Sequence, residues 1–86
     1  MIMQTYVIND MPKRLREDEV ARKKFISGIE TDLKYEFESS LFLPKIVKAE
    51  MDVTGYDLVI EISVDWSDAR FLDIVLHNLH GAKKLG

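Results

Sequence analysis

A chain of 86 residues is enough for one domain and too short for two, and at this size only about 60–65% of the unfolded surface is buried on folding, so the stability margin is thin. A composition of 47% hydrophobic and 31% charged residues excludes disorder of the whole chain, and the absence of cysteine excludes disulfides, thiolate nucleophiles and cysteine zinc sites. A net charge of −3 and a pI near 5.3 weigh against a dedicated duplex-DNA binder, which needs a basic face for phosphates.

Ile2 to Ile8 reads as a first strand, rich in strand-favouring Thr5, Tyr6, Val7 and Ile8 and stopped by the turn pair Asn9-Asp10. Pro12 has no N–H to give a ladder. From about Leu15 to Ser40 the spacing predicts one long helix, because Ala21, Phe25, Ile29, Leu33 and Phe37 recur every four residues. Glu17-Asp18-Glu19 falls in its first turns, where acids complement the helix dipole. Gly28 is a weak point in that helix and reads as a place where another backbone approaches closely. Pro44 closes the element.

Lys45 to Val53 alternates, with Val47, Ala49, Met51 and Val53 on one face and Lys48, Glu50 and Asp52 on the other. After Thr54-Gly55 the pattern repeats: Leu58, Ile60, Ile62, Val64 and Trp66 point one way, and Val59, Glu61, Ser63 and Asp65 the other. Two alternating runs around a glycine turn predict a β-hairpin with one apolar and one charged face. Ser67 then reads as the cap of a second helix, Ala69 to His80, closed by Gly81. Residues 82–86 read as a frayed basic tail. The fold class is therefore α+β with the order β-α-β-β-α: a three-stranded sheet with two helices packed on one face, the whole of 1–86 forming a single domain.

Four groupings are candidates for chemistry or recognition. The acidic sheet face of Glu50, Asp52, Glu61 and Asp65 suits a protein partner's basic surface, by charge complementarity. The basic start of the long helix, Lys13, Arg14, Arg16, Arg22, Lys23 and Lys24, is the alternative: a nucleic-acid site, most naturally for RNA, with Tyr6 or Tyr35 for stacking. Glu17, Asp18 and Glu19 cancel half of its charge. Asp73, His77 and His80 make a local trio with metal-ligand residue types, but histidines at a helix end complement the dipole without any metal. Trp66-Ser67-Asp68-Ala69-Arg70 reads as the end of the core alternation followed by a cap, with Asp65 and Arg70 placed to pair.

No phosphate loop, nucleophile elbow or H-E-x-x-H run is present among the four glycines and two histidines. The expectation is a non-enzymatic binding module without cofactor or metal, a regulator or inhibitor that works through protein contacts. The surplus apolar surface of the second helix and two open sheet edges predict a homodimer; a subunit of a larger assembly would carry the same surplus. An open strand edge offers β-addition as a second mode of recognition. No apolar run reaches the ~20 residues that span a bilayer, and Met1-Ile2-Met3-Gln4 has neither the basic start nor the apolar run of a leader. The chain thus reads as cytoplasmic, with no membrane partner.

Overall fold

The computed structural model describes residues 1–86. Its elements are β1 (Ile2–Ile8), α1 (Lys13–Glu17), α2 (Glu19–Glu36), β2 (Lys45–Met51), β3 (Leu58–Val64), a 3₁₀ turn (Trp66–Asp68), α3 (Ala69–His80) and β4 (Lys83–Leu85). The sheet has four strands in the order β2-β3-β1-β4, each antiparallel to its neighbour. Since β1 and β2 both run against β3, they are parallel to each other with β3 inserted between them. By the same logic β3 and β4 are parallel around β1. Two interleaved β-α-β units of this kind form the ferredoxin-like arrangement.

The class is as expected, and the strand count is a correction. Residues 83–85 form a strand on β1, with Val7 opposite Lys83 and Thr5 opposite Leu85, where a frayed tail was expected. The cause is Gly81. At φ +64° its N–H reaches the His77 carbonyl, and the Ala82 N–H reaches that of Leu76, which turns the chain off the helix towards β1.

A second correction concerns the first helix. Asp18 is extended (φ −104°, ψ 107°), so the predicted single helix is a short α1 and a longer α2. Its carboxylate accepts the N–H groups of Val20 and Ala21, which makes it an N-cap and not a first-turn acid. The freed carbonyls at the end of α1 are met by Arg22, whose guanidinium donates to the oxygens of Leu15 and Arg16.

The core lies between the helices and one face of the sheet. Tyr6 and Ile8 of β1, Leu58, Ile60, Ile62 and Val64 of β3, Ile29, Leu33 and Phe37 at α2, and Leu72, Val75 and Leu76 of α3 are all buried. The four-residue stripe on α2 therefore does what its spacing predicts. In β2 the alternation is shifted: a bulge between Ile46 and Lys48 turns Ile46, Ala49 and Met51 towards the core and leaves Val47 exposed. Val53 lies past the strand end and is fully exposed. Trp66 does not complete the core alternation either. It stands in the 3₁₀ turn with 74% of its surface exposed.

No atom lies within 4 Å of where a Gly28 side chain would begin, so the expected close approach of another backbone at this position is absent. Replacing this exposed helical glycine removes only its entropic cost. Gly28→Ala is expected to stabilise the fold by about 0.5–1 kcal/mol, read as a higher urea midpoint at an unchanged m-value.

Candidate interaction surface at one end of the sheet

The predicted acidic face is divided by the fold. Lys48 lies directly opposite Glu61 in the ladder and its Nζ sits 3.1 Å from the Glu50 carboxylate. Glu50, and Glu61 after it, hold the Lys48 ammonium above the ordinary lysine range. Asp52 and Asp65 stand at opposite ends of the hairpin and serve its backbone. The Asp52 carboxylate accepts from the Thr54 hydroxyl at 2.6 Å and from the N–H groups of Thr54, Gly55 and Asp57. The Thr54 hydroxyl above all pulls its carboxyl below the usual range, opposed by burial and helped by the backbone N–H donors. The Asp65 carboxylate accepts from the Ser67 N–H and hydroxyl, so Asp65, not Ser67, caps the turn before α3.

The basic cluster is likewise thinned. Arg22 is committed to the carbonyls of α1, and Arg16 donates to the Met11 carbonyl while its guanidinium lies 4.8 Å above the Tyr56 ring. Lys23 pairs with Glu19 at 3.5 Å across one helical turn. Lys13, Arg14 and Lys24 are exposed and make no ion pair. Tyr6 is 1% exposed in the core and presents no ring for stacking; Tyr35 remains on the surface. The solvent face of the two central strands holds Met3, Thr5, Val7, Val59, Glu61 and Ser63, without an aromatic platform.

The Asp73, His77 and His80 trio is taken apart. Asp73 accepts hydrogen bonds from the Tyr6 hydroxyl and from Gln4 Nε2 (3.2 Å), and Gln4 Nε2 also lies 2.7 Å from the Tyr6 oxygen. Burial first, then the hydrogen bond to Asp73 and its charge, raise the Tyr6 phenol far above the ordinary tyrosine range, opposed by the Gln4 amide. His80 turns to α2, with Nε2 2.9 Å from the Asp32 carboxylate and its ring edge-on to Phe25. His77 is exposed.

The pH consequence has a definite sign. A phenol harder to ionise in the folded state contributes stability that is fully present below about pH 10 and is lost as the pH rises beyond it. Chemical melts between pH 9 and about 12 are expected to show a decline that Tyr6→Phe largely removes.

Sequence reasoning missed what the topology gathers at one end. β1 and β2 start there, β3 and α2 finish there and α3 begins there, with Ile2 opposite Val64, Lys45 opposite Ser63 and the Phe37 ring 5.0 Å from that of Phe71. Met1, Ile2, Met3, Leu41, Phe42, Leu43, Trp66 and Phe71 all belong to this end, and each is between 42% and 90% exposed. At roughly 200 Å² for a fully exposed large residue, they present about 900 Å² to solvent. The largest apolar patch of a typical monomer is about 300–600 Å². The opposite end carries α1, the start of α2 and the Asp52–Asp57 loop, where charged groups are interspersed with exposed Val20, Val53 and Tyr56. The run Leu41-Phe42-Leu43, apolar in a loop between Ser40 and Pro44, was the legible signal.

Both sheet edges are protected against strand addition. β2 carries the bulge with Lys45 and Lys48, and β4 is three residues long with Lys83 and Lys84. No helix is long and apolar enough to cross a membrane. No family model, curated protein or solved structure matches the chain.

Proposed function

We propose that this protein is a non-enzymatic binding module that acts through protein–protein contacts, with the apolar end as its working surface. The observation that carries the reading is the clustering of exposed apolar residues around Leu41–Leu43 and Trp66, whereas the other exposed apolar residues, among them Val20, Val47, Val53 and Ile74, are spread over the remaining surfaces. Water-exposed apolar area of this size is unfavourable at about 25 cal/mol per Å², and a partner that covers it recovers that free energy. The non-enzymatic part is supported by a surface without a cavity, where a substrate would not be shielded from water. It is also supported by carboxylates and an imidazole that are already hydrogen-bonded within the fold.

The test is a photo-crosslinking side chain placed at position 41 and, as a control, at position 53, both highly exposed and at opposite ends of the sheet. Discrete protein adducts from position 41 and none from position 53 are expected in the producing cell. No adduct from position 41, or equal labelling from both, refutes the reading.

A further inference from the structure

We infer that the occupant of the apolar end is a second copy of this chain, joined end to end about a two-fold axis; this rests on the docking reading above and names its partner. Three observations lead to it. The first is area. A stable interface of standard size needs about 800 Å² from each partner, and the apolar end offers about 900 Å² at roughly 200 Å² per fully exposed large residue. Two copies would cover each other's surplus with little left over. The second is total surface. The chain exposes 5703 Å², whereas a folded monomer of 10.0 kDa typically exposes about 5,200 Å². That excess of about a tenth is in the direction expected for a protomer separated from its partner.

The third is charge at the rim. Lys45 and Arg70 are exposed beside this end, and Glu38, Asp65 and Asp68 stand there too. A rim with both signs is self-complementary, because a two-fold axis lets the cations of one copy face the anions of the other. With the Met1 ammonium the rim holds as many cations as anions, so it lacks the basic character that adsorption to an anionic bilayer requires. The bulged and lysine-bearing sheet edges leave the end, and not an edge, as the contact. Trp66 and Phe42 are its anchors, since large aromatic side chains dominate the free energy of such interfaces.

The experiment is light scattering on the full chain over a wide concentration range, with Leu41→Glu and Trp66→Ser beside the control Val53→Glu. Leu41 and Trp66 are 90% and 74% exposed, so neither change disturbs the core, and circular dichroism checks this. The wild type and Val53→Glu are expected at twice the 10.0 kDa chain mass. Each end variant is expected to weaken association by about 30-fold or more.

A wild type that stays monomeric at every concentration overturns the inference, as does a dimer indifferent to both end variants, or an open-ended series of larger species. A monomer that crosslinks from position 41 to a different protein overturns the second copy but leaves the docking reading intact. A monomer with no crosslink at all removes both. Binding of the monomer to vesicles of anionic lipid, lost in Leu41→Glu, overturns the inference in favour of a membrane surface.

Discussion

Phe37→Ala is expected to cost about 3–5 kcal/mol, the usual range for truncating a buried aromatic side chain. Phe37 is 1% exposed, follows the last turn of α2, and its N–H bonds to the Leu33 carbonyl. Its ring lies edge-on to Phe71, at 61° between planes, and so holds the end of α2 against the start of α3. Removing it opens a cavity and frees Phe71 at once. A domain of this length has about 4–13 kcal/mol of stability in total, so the variant is expected to lose much or most of its cooperative urea transition. Phe37→Leu keeps most of the volume and is expected to lose about half as much. Equal losses for the two variants contradict the packing account.

Asp73→Ala is expected to cost about 2–3 kcal/mol, for a different reason. The carboxylate is the acceptor for the Tyr6 hydroxyl, and Gln4, 6% exposed, supplies the other polar group of this pocket in the core. Without Asp73 the phenol O–H is buried with no acceptor, and a charge-assisted bond is lost as well. Tyr6→Phe in the wild-type background is expected to cost about 1 kcal/mol, since the Asp73 carboxylate is only half-buried and water can solvate it. In the Asp73→Ala background, Tyr6→Phe is expected to be neutral or stabilising, because it removes the orphaned donor. Urea melts of the double-mutant cycle measure this sign change. Strictly additive losses would show that the three residues do not act as a unit.

Local patterns made most of the architecture readable. The alternation from Leu58 to Val64 predicts β3, the four-residue stripe predicts the buried face of α2, and Gly81 marks the end of α3. What escaped is what non-local contacts decide. Lys83-Lys84-Leu85 has no alternation to read and is a strand only because Gly81 delivers it to β1. The bulge turns Val47 out and Ile46 in, leaving Ala49 and Met51 on the expected face, with no glycine or proline at the bulge to announce it. Asp18 sits between two acids and resembles them, yet it is the one whose backbone leaves the helix.

The candidate sites fared differently for the same reason. Glu50 and Asp52 alternate in step on one run and Glu61 and Asp65 on the other, but the hairpin spreads them along its length, and Asp52 and Asp65 cap backbone at its two ends. Asp73 is 67 residues from Tyr6 and Asp32 is 48 from His80, so no spacing rule connects either pair. The apolar end is assembled from four separate stretches of chain, of which only Leu41-Phe42-Leu43 stands out in the sequence. Only the strand order brings them together.

Trp66 gives the most direct test of whether the apolar end is covered by a second copy of the chain. It is the single tryptophan of the sequence, so all indole emission comes from this surface. The emission maximum and its quenching by a soluble quencher are measured as the purified protein is diluted. Covered at high concentration, Trp66 is expected to emit at shorter wavelength and resist the quencher. On dilution both signals should move together to those of a solvated indole, and in Leu41→Glu they should start there. A solvated, fully quenched Trp66 at every concentration would contradict the account.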